Sequence, residues 1–337
     1  MCLRFNAVVP AGWSLPGVAS SSDAGDAAGW RVRQLDCPAD GVLVCPVPCL
    51  LCGGADARRL FEKGGKTFFR CRGCGLEWIE PMPTPEEIGK YYEWAYREGI
   101  YAPYAEAEDI RQLIAEHRLD VVRRSARPGR WLDVGCATGH FVEAAVRAGM
   151  TAEGLDVSPG AIARARARGL TVHLARVEEF VPTDPYDTIT VFDVIEHLLD
   201  PRAFLDRLHG WLRPGGTLVL TLPDVSSIYP RLLMRRHWFY YLPSDHLHYF
   251  DPRTITRLLG EHAFTVERVM RAYKPLTIRY IVPQLRIFNP ALGRVAEVVT
   301  QVLPGRLMAR PWRCYIGEMM AVAAAAPPSG VARASNA

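Results

Sequence analysis

From residue 130 to about residue 325, short β-prone apolar runs alternate with helical segments, and this alternation restricts the possible folds more than any other feature of the chain. "RWLDVG" reads as a strand, "GHFVEAAVRAG" as a helix closed by Gly149, "TAEGLD" as a strand, and Pro159 to Gly169 as a helix rich in Ala and Arg. "LTVHLA", "YDTITVFDV" and "GTLVLTLP" follow as strands, with a helix near 201–212. A strand that leads into a helix reaches its parallel neighbour by a crossover, so the pattern predicts βαβ units in a parallel sheet covered on both faces. The expected fold class is α/β, a Rossmann-like sheet. "TITRLLGEHAF" adds a helix and turn, and "FTVERVM" and "CYIGEMMAVAAA" are late strands placed to pair antiparallel at the sheet edge.

The first of these strands ends in Asp133-Val134-Gly135-Cys136-Ala137-Thr138-Gly139-His140. Glycines at a strand-to-helix turn let a ligand approach the backbone, and the helix start offers unpaired N–H groups. The spacing is G-x-x-x-G, without the third glycine of the dinucleotide fingerprint. Asp156 ends the second strand, 21 residues after Gly135, where a carboxylate can accept both hydroxyls of a ribose. Asp133 either faces the ligand or ties down the loop backbone. The run Asp193-Val194-Ile195-Glu196-His197 ends another strand at the carboxyl edge, where open α/β sheets bind ligands. Asp193 is equally placed to cap the next helix, and His197 to serve a substrate or a structural hydrogen bond.

Ahead of this region the cysteines concentrate. Cys49 and Cys52, then Cys71 and Cys74, form C-x2-C-x18-C-x2-C, and a glycine follows each pair. Such knuckles supply four soft ligands for tetrahedral zinc, and a site with four cysteines has no open position, so the expected role is structural. Cys45 is a rival first ligand with a less suitable C-x3-C spacing. The total of nine cysteines is odd and no continuous apolar signal segment precedes them, which argues against a secreted disulfide framework. Cys2, Cys37, Cys45 and Cys314 have no assigned role. The expected organisation is a disordered leader at 1–44, a zinc ribbon at 45–80, a helical connector or lid at 81–129, the α/β domain at 130–325 and a disordered tail at 326–337. In the connector, Thr84 is a candidate N-cap with Pro85 at the first helical position, a second helix is expected from about Ala105 to Arg124, and Tyr91, Tyr92 and Tyr96 are placed to fold over a ligand.

No apolar run approaches the ~20 residues that span a bilayer, and the expected location is cytoplasmic. The formal charge is only +4, which argues against a polyanionic partner such as nucleic acid. That balance hides a basic stretch from Arg268 to Arg313, suited to a diphosphate, to peripheral contact with an anionic membrane, or simply to a solvated helix face. Between the fifth strand and the next helix, "HWFYYLPSDHLHYFDPRTITRLL" combines aromatics with His237, His246 and His248. It is either a pocket wall with Asp245-His246 as an acid/base pair, or a cover over the sheet followed by a helix that starts at Asp251 and Thr254.

The motifs "LDVGCATGHF", "AEGLDVSP", "YDTITVFDVIEHLLDP" and "LRPGGTLVLTLPD", in this order, resemble those of the class I S-adenosylmethionine-dependent methyltransferases over residues 130–325. The resemblance implies a seven-stranded sheet with a reversed last strand and S-adenosylmethionine as cofactor. It implies that Asp133, Gly135, Ala137 and Gly139 line the methionine and ribose end, that Asp156 holds the ribose diol, that Val177 and Glu178 meet adenine, and that Asp193 and Val194 form the pocket floor. Ala137 replaces a frequent glycine, and Arg176 stands where many members have Asp. With the ribbon, the chain is similar to bacterial methyltransferases of sugar and polysaccharide biosynthesis, including deoxysugar C-methyltransferases. In those, a Tyr-x-Glu-His pattern contributes the base; here Asp245-His246 and Glu196-His197 match and Pro243 stands at the tyrosine position. O- or N-methylation is therefore expected at least as much as C-methylation. The expected acceptor is a small molecule, a sugar or a sugar nucleotide, with a histidine base. The rival functions are RNA methylation with the ribbon holding nucleic acid, against which the slight charge argues, and a non-catalytic binding protein, against which the glycine turn and Asp156 argue.

Overall fold

The structure, a computed structural model, describes residues 47–90, 107–288 and 290–327. The leader, the tyrosines Tyr91, Tyr92 and Tyr96, and most of the tail lie outside the described residues.

A seven-stranded sheet has the order β10-β11-β8-β7-β4-β5-β6. Its strands are β4 (Arg130–Val134), β5 (Thr151–Asp156), β6 (Val172–Leu174), β7 (Tyr186–Phe192), β8 (Leu212–Pro223), β10 (Phe264–Thr277) and β11 (Pro311–Ala325). Pairs from β8 to β6 are parallel, and β11 runs antiparallel to both β8 and β10. The α/β fold with one reversed strand is thus the one expected. β11 fills the inner place because Gly317 to Val322 are continuously buried, whereas β10 carries exposed Thr265, Glu267, Arg268 and Arg271 and takes the edge.

Helices α1 (Glu108–Val122) and α2 (His140–Arg147) cover one face, packing Ala115, Leu119, Phe141 and Ala145 against Phe192 and Met320. Helix α3 (Pro159–Ala167) adds Ile162 and Ala165 against Val142 and Val172. Helices α4 (Pro201–Trp211) and α5 (Pro252–Glu261) cover the other, packing Phe204, Leu208, Ile255 and Leu259 over Leu132, Ile189 and Leu220. The helix starts are chemically marked. Ser158 caps α3, Asp200 caps α4, and Asp251 with Thr254 forms a capping box on α5. Thr84 and Glu87 exchange side-chain to backbone bonds at the start of helix 85–90. α6 (Ile278–Phe288) and α7 (Pro290–Thr300) bridge β10 and β11. Among the described residues no helix is long and apolar enough to cross a membrane.

A second, four-stranded sheet has the order β1-β2-β3-β9. β1 (Ala57–Lys63), β2 (Lys66–Cys71) and β3 (Glu77–Glu80) belong to the cysteine-bearing segment, and β9 (His248–Tyr249) comes from the aromatic stretch before α5. Phe68 and Ile79 share a core with Trp238, Tyr241 and Tyr249. The aromatic stretch is therefore the joint between ribbon and α/β core, which accounts for its density of large side chains.

Candidate functional site

The turn after β4 is held open by geometry that only certain residues satisfy. Gly135 and Gly139 have φ of +79° and +82°, and added Cβ atoms would lie 2.5 Å from Val194 Cγ2 and 2.6 Å from Leu170 Cδ1. Both positions need glycine for conformation and for space. Gly135→Ala is expected to cost about 1–2 kcal/mol from backbone strain alone, with the Val194 clash added, and to lower the thermal midpoint accordingly. A melt unchanged from wild type would contradict this. Ala137 also occupies the left-handed region, at φ 47°, which explains why glycine is favoured at this position.

Asp156 secures the turn. Its Oδ2 accepts from Ala137 N and its Oδ1 from Ser158 N, both at 2.8 Å. Burial pushes its carboxyl up, opposed by these two amides. Asp133 lies beneath, accepting from Thr190 Oγ1 at 2.7 Å, and burial pushes it up to about 7. Beyond β6, Val177 is half-buried against the core and exposed Glu178 lies 3.5 Å from Arg176. Val194 packs over Gly135, and Asp193, at φ 57°, does not cap a helix. Instead its carboxylate meets Arg118 at 2.6 Å, Thr221 Oγ1 at 2.9 Å and Lys274 Nζ at 3.5 Å. Burial alone would raise this carboxyl, but Lys274 and Arg118 outweigh it and hold it well below the usual carboxylate range.

One group of residues at this site had no sequence signal. Arg111 of α1 is buried and donates to Thr138 Oγ1 at 2.7 Å and to Glu108 at 2.7 Å, while Thr138 contacts His140 Nδ1 at 3.0 Å. The Arg111 guanidinium thus ties α1 to the turn before α2, with its charge matched by Glu108. Its distance in sequence from the glycines left nothing to detect.

The histidines and acids of the two Glu/Asp-His pairs come together in one buried cluster. His197 Nδ1 lies 2.8 Å from the Asp245 carbonyl oxygen and 3.3 Å from its Oδ1. A carbonyl can only accept, so Nδ1 carries a proton, and the neutral tautomer that this bond selects is the one with its lone pair on Nε2. The sequence suggested Asp245 as the partner of its neighbour His246; the structure places its carboxylate against His197, with the His246 ring 4.7 Å away, edge to face. Glu196 Oε1 lies 3.9 Å from His197 Nε2. Glu196 is 1% exposed, and neither of its carboxylate oxygens has a hydrogen-bond partner among the described residues. Burial pushes its carboxyl up to about 7, against the pull of His197. His248 is buried in β9, where desolvation lowers it to about 4 and keeps it neutral, and His237 is exposed.

The thiol sulfurs of Cys49, Cys52, Cys71 and Cys74 all lie within 4.8 Å of one another. Gly53 and Gly75 take φ of +69° and +89°, Gly53 N and Gly75 N close the knuckles on Cys49 O and Cys71 O, and Cys74 N points at Cys71 Sγ. Burial drives the Cys49 and Cys74 thiols up. Four converging sulfurs, two of which burial would otherwise keep protonated, fit a tetrahedral dication, which would stabilise them as thiolates.

Residues 106–269 match the family profile described as "Methyltransferase domain". A ubiquinone biosynthesis O-methyltransferase of Rhodopseudomonas palustris (strain BisB5) is 30% identical over 159 residues, covering 42% of this chain and 63% of that protein. The protein of the same name from Bradyrhizobium sp. (strain ORS 278) is 34% identical over 154 residues, covering 41% of this chain and 61% of that protein. The chain thus spans less than two thirds of the curated relatives it matches. Among solved structures, a SAM-dependent methyltransferase from Archaeoglobus fulgidus aligns over 66% of this chain and 98% of its own at 16% identity, with a TM-score of 0.45. The α/β domain has the Rossmann-like methyltransferase fold, with a seven-stranded mixed sheet.

Proposed function

We propose that the protein is an S-adenosylmethionine-dependent methyltransferase acting on a hydroxyl of a small-molecule acceptor, such as a sugar, a sugar nucleotide or a related metabolite. The observation that carries the proposal is the Gly135–Gly139 turn tied to Asp156 at the carboxyl edge of a sheet whose sequence matches a methyltransferase domain. The names of the relatives favour oxygen as the methylated atom. S-adenosylmethionine, when bound, supplies an electrophilic methyl on a sulfonium. Asp133, Gly135, Ala137, Gly139, Asp156, Val177, Glu178, Asp193 and Val194 are assigned to hold it, and the Cys49, Cys52, Cys71 and Cys74 cluster to hold a structural zinc.

On the acceptor side, His197 takes the hydroxyl proton at Nε2, and Asp245 fixes the ring so that this nitrogen faces Glu196. His246 packs against the His197 ring and limits its rotation. Above a pH of about 7 the Glu196 carboxyl ionises beside His197 and strengthens it as a base. The rate of methyl transfer should therefore rise through neutral pH. Label transfer from S-adenosylmethionine into a small-molecule extract measures it. His197→Ala is expected to lower the rate by about 10²–10⁴-fold while leaving S-adenosylhomocysteine affinity unchanged. Glu196→Gln should remove the inflection near neutrality, and an unaltered pH profile would exclude Glu196 from this role.

A further inference from the structure

The basic stretch divides: Arg279, Arg294 and Arg306 are exposed on helices, whereas its two ends lie on the sheet. Arg268, Arg271 and Lys274 lie on β10 and Arg313 on β11, and with Arg118 and Arg124 of α1 and its C-terminal end they line a cavity of about 490 Å³. That volume suits a small ligand. Glu318 is the one acidic lining residue among the described residues, and it is 1% exposed and bonded to Lys274 and Tyr240. Arg118 is matched by Asp193. The charges of Arg124, Arg268, Arg271 and Arg313 have no carboxylate at ion-pair distance among the described residues. Their field is felt by His117, whose protonation is disfavoured first by burial and then by Arg313, with Arg118 and Arg124 adding to it against the opposing Asp120.

Two of these guanidiniums are held in place before any ligand arrives. Tyr273 and Tyr315 are cross-strand partners with ring centroids 5.7 Å apart. Arg271 lies over the Tyr315 ring at 5.2 Å and Arg313 over the Tyr273 ring at 5.3 Å. Stacking fixes planar groups that can each offer paired N–H donors, a geometry matched to phosphate oxygens. Two side chains of the cavity wall are linked by direct contacts to the proposed cofactor and reaction sites. Arg118 bonds Asp193 next to Val194 and Gly135, and Glu318 bonds Tyr240, whose ring stacks on His246 at 5.9 Å.

We propose that this cavity binds the phosphate or diphosphate group of the methyl acceptor. Calling that ligand the acceptor rests on the methyltransferase proposal above, whereas the anion site itself does not.

Calorimetry of the full chain with inorganic pyrophosphate and, separately, with S-adenosylhomocysteine tests both parts. Pyrophosphate should bind the wild-type protein, and Arg271→Ala/Arg313→Ala should weaken it by about tenfold or more, as expected for lost charge-assisted contacts. Arg124→Glu, a charge reversal at an exposed position, should weaken it similarly if the strand variant is unstable. S-adenosylhomocysteine affinity should not change in either variant. Saturation by S-adenosylhomocysteine without pyrophosphate binding, or variants that bind pyrophosphate like wild type, would overturn the anion site. Pyrophosphate binding without S-adenosylhomocysteine binding would overturn the methyltransferase proposal and leave the anion site standing. Vesicles containing phosphatidylglycerol separate the sources: binding displaced by pyrophosphate assigns the phosphate to a lipid-linked molecule, and pyrophosphate binding without vesicle binding assigns it to a soluble one. RNA binding that pyrophosphate fails to displace would count against the site.

Discussion

Cys71→Ser/Cys74→Ser should abolish zinc binding and unfold the joint between the two sheets along with the ribbon itself. The ribbon buries little of its own, and its large side chains are shared. Phe68 meets Tyr241 at 5.2 Å and Tyr249 at 5.4 Å between ring centroids. Trp78 pairs with His248 across the β3–β9 ladder. Arg202 of α4 donates to Leu50 O at 2.9 Å and Leu51 O at 3.0 Å, tying the first knuckle to the core. The variant keeps only the Cys49 and Cys52 thiols, too few to hold a tetrahedral ion, and loss of the metal frees the segment that carries these contacts. In isolated fingers structural zinc contributes about 10–16 kcal/mol, all of it folding energy. Here part of the packing can survive, so a loss of at least ~4 kcal/mol is expected, or roughly 10 °C in the thermal midpoint for a domain of this size. Metal analysis should find one zinc per wild-type chain and none in the variant. A metal-free wild-type protein, or a variant that melts with the wild type, would sink the assignment.

The joint also shows where sequence stops informing. The glycines after each cysteine pair were readable because a left-handed turn has a residue-type requirement, and Gly53 and Gly75 meet it. The strands of the large sheet were readable because burial on both faces demands unbroken apolar runs, and Asp251 with Thr254 because capping has a fixed local spacing. The β3–β9 pairing joins Glu77 to Tyr249 through backbone bonds that any residues can make, and nothing local marks it. Lys274 shows the same limit from the side of charge. In a window of sequence it joins a basic stretch, yet it is 1% exposed because Asp193 and Glu318 reach it from other strands. Asp245 and His246 pair by adjacency in the sequence, whereas the contact of the Asp245 carboxylate with His197, 48 residues away, is made by the fold and has no local mark.

Asp156→Asn should weaken S-adenosylhomocysteine by about 10²-fold or more while leaving the chain folded. Each carboxylate oxygen has more than one lone pair, and one on each is used by the Ala137 and Ser158 amides. The remaining pairs are available to the two hydroxyls of a ribose, and hydrogen bonds to a charged group contribute about 1.5–3 kcal/mol each. Asparagine keeps the shape but turns one acceptor into a donor. That donor would face either the Ala137 N–H, which opens the turn, or the Ser158 N–H, which disturbs the start of α3. Both arrangements also remove the negative charge from the ribose position. The loss should therefore exceed that of a single hydrogen bond, and it should be specific to the nucleoside end of the ligand. Adenosine alone should weaken with the same factor, whereas pyrophosphate in the arginine-lined cavity should bind as before. Calorimetry with the three ligands, alongside circular dichroism to confirm folding, reads this directly. Equal affinity for S-adenosylhomocysteine in the folded Asp156→Asn protein and the wild type would remove the central support for the cofactor site.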